Sequence, residues 1–244
     1  MKIVTWFSCG NNSAVTSKLV LDQYPEHEVA IARCVVPNEH EDNERFHDEC
    51  EEWFQRPILR LRAKDYADCW EVWEKRKYIS GVKGAPCTIE MKKAVRWQFE
   101  KDWKPTHQAF GFSSDETHRA DRFRDQNPDV RLLTPLIDAG LSKPDCARLV
   151  EGAGIKPGVM YSLGFSNNNC ICCAKATSIV YWARNRALFP EQFNRMAELS
   201  RRLGCKLTRL KGTRIYIDEI PDDINWRKKD RDTQECGILC VGER

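Results

Sequence analysis

Short β-prone runs alternate with amphipathic stretches from the first residues of this chain, and that alternation leaves few folds open. Residues 2–7 (KIVTWF) are β-prone and apolar, Ser8-Cys9-Gly10-Asn11-Asn12-Ser13 is a polar turn, and AVTSKLVLDQY follows with helical patterning. EVAIARCVV is a second β-prone run. The acidic stretch PNEHEDNERFHDECEEWF then places Phe46, Cys50, Trp53 and Phe54 at helical spacing. PILRLRA supplies a third strand and THQAFGFSS a fourth that ends in a turn. Strands that alternate with helices predict an α/β fold with a doubly wound, mostly parallel sheet covered on both faces.

Beyond the sheet, TPLIDAGLSKPDCARLVEGAGI reads as a loop and then a helix capped by Ser142, with Pro144 near its first turn and glycines at its end. ATSIVYWARNRALF carries its own helical pattern, and Pro190 opens another helix, EQFNRMAELSRRLG, stopped by Gly204. IPDDINWRKKDRDTQE is charged and poor in apolar residues, the composition of a mobile arm, and leads to Cys236-Gly237-Ile238-Leu239-Cys240.

With 41% hydrophobic and 31% charged residues over 244 positions, the chain has enough apolar surface for a large core, which excludes a disordered protein. Lys and Arg number 39 against 36 Asp and Glu, too even a balance for a protein that coats polyanions. No apolar run approaches the roughly 18 residues of a membrane span, and the opening MKIVTWF lacks a signal-peptide layout. The expectation is a cytoplasmic protein with no membrane partner. In a reducing compartment its 12 cysteines stay free, and a thiol-rich chain there more often binds metal or does thiol chemistry than builds disulfides. Cys34, Cys50, Cys69, Cys146 and Cys205 stand singly among apolar or helical neighbours and are read as core thiols.

The first turn has the features of a phosphate cradle. Ser8, Gly10 and Ser13 supply the small residues and hydroxyls of a loop whose backbone N–H groups face an anion, and the following helix adds partial positive charge. Ligands of open α/β sheets bind at this carboxyl edge. Residues 1–175 are accordingly expected to form a nucleotide-binding α/β domain, 176–222 a helical segment packed on it, and 223–244 a mobile cysteine-containing tail.

Cys170-Ile171-Cys172-Cys173 contains a C-x-x-C pair after the turn Gly164–Asn169. One pair gives two ligands, so a tetrahedral zinc or an iron–sulfur centre needs thiols from elsewhere. Cys87 is the best candidate, in the turn Gly84-Ala85-Pro86-Cys87-Thr88 that opens the basic helix IEMKKAVRWQF. Two basic clusters, Lys92, Lys93 and Arg96 after Cys87 and Arg119, Arg122 and Arg124 further on, are candidates to reach phosphate or sulfate oxygens or to form solvated helix faces. Glu39-His40-Glu41-Asp42 is read as a polar strand-to-helix loop rather than a metal site.

On these residues the chain resembles the phosphoadenosine phosphosulfate reductase family, including its phage-type members. Ser8–Ser13 is similar to the family's modified PP-loop, Gly111–Arg119 to its G-x-x-x-x-E-x-x-R segment, Pro135-Leu136-Ile137 to its PL-[IL] turn, and Glu235–Leu239 to the ECGLH ending. The resemblance implies a PP-loop fold of the adenine nucleotide alpha-hydrolase-like type. It implies an adenine nucleotide or sulfonucleotide bound by Ser8, Cys9, Gly10, Asn11, Asn12, Ser13, Lys92, Glu116 and Arg119. It further implies a 4Fe-4S iron–sulfur cluster near that site on Cys87, Cys170 and Cys173, with Cys172 as a fourth thiol, and Cys236 as the nucleophile that attacks activated sulfate to release sulfite. A thioredoxin- or glutaredoxin-like reductant and a cytoplasmic setting, the host's for a phage protein, follow from the same resemblance.

Three departures from the family pattern bear on activity. Cys9 and Asn12 stand where S-G-G-x-D-S has glycine and an acid, so the charge that would hold magnesium with ATP is missing. Cys87-Thr88 replaces a cysteine pair, and Cys240 makes a Cys236–Cys240 redox pair conceivable. Two further readings stay open: an ATP-dependent, iron–sulfur sulfur transferase that thiolates a nucleic-acid base, and a structural zinc module that binds nucleic acid.

Overall fold

Successive side chains of a strand point to opposite faces, and the first β-prone run is apolar on both, so it needs cover on each side. The computed structural model describes residues 1–228, and the tail with Cys236 and Cys240 lies outside the described residues. In chain order the first elements are β1 (Lys2–Trp6), α1 (Asn11–Gln23), β2 (Glu28–Cys34), α2 (Asp42–Phe54), β3 (Ile58–Leu61) and α3 (Cys69–Arg76). Then come α4 (Pro86–Thr88), a π-helical turn (Ile89–Lys93), α5 (Ala94–Trp103), β4 (His107–Ala109), a 3-10 turn (Ser114–Glu116) and α6 (Thr117–Gln126). The remainder is β5 (Leu132–Leu133), α7 (Pro135–Asp138), α8 (Lys143–Gly152), α9 (Val159–Ser162), α10 (Ile179–Leu188), α11 (Pro190–Arg202), β6 (Thr208–Leu210), β7 (Thr213–Ile215) and a 3-10 turn (Ile217–Glu219).

By contact these elements divide into two units, each discontinuous in sequence: Met1–Val35, Glu41–Arg62 and Val95–Gly158 in the first, and Val36–His40, Ala63–Ala94 and the described residues from Val159 on in the second. The first unit holds a five-stranded sheet in the order β3-β2-β1-β4-β5 with every pair parallel, the α/β architecture that the alternation predicts. On one face Ile3 packs with Val20 of α1, and Thr5 Oγ1 lies 2.8 Å from Ser17 Oγ. On the other, Trp6 meets Phe99 of α5 edge-on and donates its indole N–H to Gln108 Oε1 at 2.8 Å. The chain winds from β1 outward to β3 and returns on the other side of β1 as β4. The carboxyl ends of β1 and β4 therefore flank the point where strand order reverses, the place where open α/β sheets bind ligands.

The second unit has its own core, in which Trp73, Ile79, Met91, Met160 and Trp182 are buried together with Cys69, Cys87, Cys170, Cys172 and Cys173. The Ser142 cap is found, accepting from the Asp145 N–H, and Pro190 starts α11. Three elements depart from the expected layout. Pro135 at the first helical position turns part of the expected loop into α7. β5 is only two residues long, too short for alternation to reveal. The antiparallel β6–β7 hairpin turns on Lys211 and Gly212, both at positive φ (48° and 86°), as a tight two-residue hairpin turn requires.

Candidate functional site

In the first unit, Ser8–Ser13 joins the carboxyl end of β1 to α1 as expected, and Ser13 shapes it. Ser13 Oγ accepts the backbone N–H groups of Ser8 (3.0 Å) and Gly10 (3.3 Å) and donates to the Gly10 carbonyl at 2.8 Å. Ser8 Oγ lies 3.2 Å from the same hydroxyl. Gly10 caps α1, whose first turn carries no acid, so its partial positive charge is not cancelled locally. Asn11, in that turn, is buried with its Oδ1 lacking a hydrogen-bond partner, an unmet acceptor beside an anion-type loop. Cys9 sits at φ 54° with its thiol in the core, donating to the Asn43 carbonyl at 3.5 Å. Its side chain is thus spent on packing, and only its backbone remains for a ligand.

The Gly111–Arg119 segment follows β4 on the other side of the reversal point. Asn12 Nδ2 donates to the Gly111 carbonyl at 3.3 Å, and a Cβ built at Gly111 would stand 3.0 Å from Asn12 C and Ser13 N. Glycine is required there because two backbones touch. Glu116 Oε2 accepts the N–H and hydroxyl of Ser113 (3.2 and 2.9 Å), while Oε1 binds Arg119 and lies 3.6 Å from Lys143 Nζ. Arg119 in turn rests over the Phe112 ring. Glu116 thus fixes the guanidinium of Arg119 near the strand ends, and the two cations keep a buried carboxylate paired.

The cysteines gather in the second unit. Cys69, at the start of α3, hydrogen-bonds through its thiol to those of Cys170 and Cys87; these bonds and its burial push its pKa well above the usual thiol value. The reading of Cys69 as an isolated core thiol is therefore corrected: it joins Cys87 to Cys170. Two groups hold it. Asp68 caps α3 by accepting the Glu71 N–H, and Asn38 Oδ1 accepts the Cys69 N–H at 2.7 Å. The Asn38 carbonyl accepts the Ile171 N–H at 2.9 Å, so one residue ties the start of α3 to the cysteine turn.

The turn itself is braced by α10. Tyr181 Oη donates to the Cys170 carbonyl (3.3 Å) and accepts the Cys173 N–H (2.7 Å). Its burial first, and then the neighbouring Cys173, Cys172 and Cys170, raise its pKa far above the usual phenol value. One turn later Asn185 Oδ1 accepts the Cys172 N–H at 3.0 Å and its thiol at 3.5 Å. Cys172 lies at φ 52°, and burial raises its pKa. The structure thus brings Cys87 and Cys170 together through Cys69, holds Cys173 in the same turn, and gives the Cys172 thiol to Asn185. Sequence reading misses Asn38, Cys69, Tyr181 and Asn185; the one available signal was Tyr and Asn at helical i, i+4 spacing after the cysteines.

No protein-family model matches the chain, and no curated protein matches it. Among solved structures it is similar to a phosphoadenylyl-sulfate (PAPS) reductase from Candida auris in a phosphate complex, at 8% identity and a TM-score of 0.48, over 70% of this chain and 81% of that one. It is similar as well to the U34-tRNA thiolase NcsA from Methanococcus maripaludis with its [4Fe-4S] cluster, at 13% identity and a TM-score of 0.45, over 84% of this chain and 72% of that one. At such identities a likeness concerns the fold and assigns no residue.

The donor set suits a soft metal centre. Buried sulfurs brought together from separate segments match zinc or an iron–sulfur cluster and not magnesium or calcium. Lys92, in the π-helical turn after Cys87, is buried and pairs with Glu39 at 3.1 Å. Glu39 pairs with Lys92, His40 meets the Phe189 ring edge-on, and Asp42 pairs with Arg45. The core-thiol reading fits Cys50 and Cys146, each pushed up to about 12 chiefly by burial, and Cys205, raised by burial and donating to the Ser80 carbonyl. Among the described residues no helix is long and apolar enough to cross a membrane.

Proposed function

We propose that the chain is a sulfonucleotide reductase-type enzyme that binds an adenine nucleotide carrying activated sulfate and holds an iron–sulfur centre on cysteine thiolates. The observation that carries this reading is that Cys87 and Cys170, remote in sequence, both hydrogen-bond to the Cys69 thiol in one buried cluster. A scatter of unrelated core thiols gives no such convergence.

In this reading the Ser8–Ser13 loop, shaped by the Ser8 and Gly10 N–H bonds to Ser13 Oγ, takes the phosphates on the N–H groups that open α1, and Arg119, fixed by Glu116, neutralises an anionic oxygen. Lys92 is paired with Glu39 as Arg119 is with Glu116. Cys87, Cys170 and Cys173 are the proposed ligands. When bound, an iron–sulfur centre would supply redox capacity.

The proposed chemistry is that of thiols throughout. The Cys236 thiolate attacks the sulfate sulfur, the nucleoside phosphate leaves, and the sulfur of Cys236 then carries the sulfonate. A thioredoxin- or glutaredoxin-like dithiol supplies both electrons: one thiolate attacks the Cys236 sulfur and expels sulfite, and the second resolves the mixed disulfide.

The test is sulfite release from adenylyl sulfate and from phosphoadenylyl sulfate with a dithiol reductant, comparing wild type with Cys236→Ser. Release that vanishes in the variant is expected, and unchanged turnover removes the tail nucleophile. One observation favours a second reading. With Cys172 on Asn185, three of the four thiols chosen from sequence remain, and a three-thiolate cluster has an open iron of the kind that thiolation of a nucleic-acid base uses. Conversion of ATP to AMP that depends on added RNA, without sulfite, selects that enzyme. A colourless, zinc-loaded protein selects the structural zinc module and removes both enzymes.

A further inference from the structure

We propose, resting on the iron–sulfur reading above, that Cys69 is the fourth ligand of the centre, closing a four-thiolate set with Cys87, Cys170 and Cys173, and that Cys172 is outside it. Two features of Cys69 in the second unit lead there. The Cys69 thiol makes direct hydrogen bonds to the thiols of both Cys87 and Cys170, and so joins two segments that lie far apart in sequence. Its backbone is placed by two partners, the capped start of α3 and the Asn38 side chain, and Asn38 holds the Cys170–Cys173 turn through Ile171. Partners that fix both a thiol-bearing residue and the loop it faces are what a metal ligand needs and what a packing residue does not.

Cys172 shows the opposite arrangement. Its left-handed backbone sends the side chain to Asn185, whose Oδ1 takes both its N–H and its thiol. A ligand at that position would have to break the buried thiol hydrogen bond, leaving Asn185 Oδ1 only the Cys172 N–H. Cys170 and Cys173, three residues apart, are bracketed by the one Tyr181 hydroxyl.

A four-thiolate set has a chemical consequence. Each thiol releases its proton on ligation, and no coordination position is left for a substrate sulfur. The centre then serves a reaction carried out by other groups, such as thiolate attack on activated sulfate, and is unsuited to delivering sulfur from an open iron. The choice between the two enzymes discussed above thus comes down to the role of Cys69.

The test uses the full chain, reconstituted anaerobically with iron and sulfide, as wild type, Cys69→Ser, Cys87→Ser and Cys172→Ser. Iron and acid-labile sulfide per chain, visible absorbance, and the paramagnetic three-iron signal after mild ferricyanide oxidation are measured. Wild type and Cys172→Ser are expected to resist loss of iron equally. Cys69→Ser is expected to convert readily to the three-iron form, and its iron retention against a chelator to fall on the order of 10-fold or more, the scale of loss that even outer partners of metal ligands produce. Ready three-iron formation by wild type overturns the proposal without reliance on any variant's folding, as does iron loss in Cys172→Ser but not in Cys69→Ser. A wild type that takes up no iron, or a Cys87→Ser variant identical to it, overturns the iron–sulfur reading itself, and that failure is distinguished by appearing in wild type or at Cys87 rather than at Cys69.

Discussion

Asn38 binds Cys69 with its side chain and Ile171 with its main chain: Oδ1 accepts the Cys69 N–H at 2.7 Å, and the carbonyl accepts the Ile171 N–H at 2.9 Å. Asn38→Ala keeps the main-chain bond and removes the other, leaving a buried helix-start N–H without its acceptor. The expected cost is about 1–2 kcal/mol of unfolding free energy. Asn38→Asp keeps an acceptor oxygen and is expected to lose less. Urea denaturation of both variants checks this, and equal stability of Asn38→Ala and wild type counts against the tie.

Gly111 touches the Ser8–Ser13 loop so closely that a methyl group would stand 3.0 Å from two backbone atoms, Asn12 C and Ser13 N. Gly111→Ala is expected to displace the loop, costing about 1–3 kcal/mol in stability, the usual range for overpacking. Affinity for an adenine nucleotide, measured by calorimetric titration, is expected to fall by about 10-fold, equivalent to roughly 1.4 kcal/mol. Unchanged affinity would place the nucleotide away from Asn12 and Ser13.

The first strand, turn and helix were legible because each rests on local chemistry: an apolar run, small polar residues at the turn, and a 3.6-residue repeat. The Ser142 and Pro190 helix starts were legible for the same reason. Cys69 was not. Its neighbours in sequence look like those of any core thiol, and only the Asn38 tie, which spans 31 positions, brings it to the cysteine turn. Lys92 reads as a free base after Cys87 until its partner Glu39, 53 positions away, is placed. Within Cys170–Cys173 the sequence offers three thiols, and a single left-handed residue, Cys172, decides which one turns away. What is missing from the sequence in each case is a long-range pairing, not a propensity.

Arg184 is 2% exposed and gathers three main-chain carbonyls: Gly164 at 2.6 Å, Trp226 at 3.1 Å and Lys228 at 2.7 Å. Its planar fork serves all three at once, and it rests over Phe165. Arg184→Met is expected to lower stability by about 2–3 kcal/mol, because the fork is removed and its acceptors are left. Arg184→Lys, with a point charge in place of a fork, is expected to fall between. Faster proteolytic cleavage around 226–228 in Arg184→Met, with denaturant midpoints ordered wild type, Lys, Met, is the outcome to look for; resistance equal to wild type contradicts the clamp.

His47 gives the pH prediction. It is fully buried on α2, with Nδ1 3.4 Å from Arg33 and Nε2 3.4 Å from Glu51, and the Phe7 ring meets it edge-on. Burial first, then the charges of Arg60 and Arg33, lower its pKa below the ordinary 6.5, outweighing Glu51 and Glu44. A histidine held neutral in the fold takes up a proton more readily once unfolded, so between the two pKa values the unfolded chain binds more protons. Its stabilising share is therefore complete above about pH 6.5 and is lost as the pH falls through the lowered value, with a slope of at most about 1.4 kcal/mol per pH unit for one proton. Unfolding free energy measured from about pH 7.5 down to about pH 5 is expected to decline. His47→Gln, which cannot titrate, is expected to show a shallower decline. Some slope remains in the variant from His107, whose pKa burial and Arg131 lower in the same direction. Identical pH profiles for wild type and His47→Gln would show that the buried imidazole does not link folding to protons.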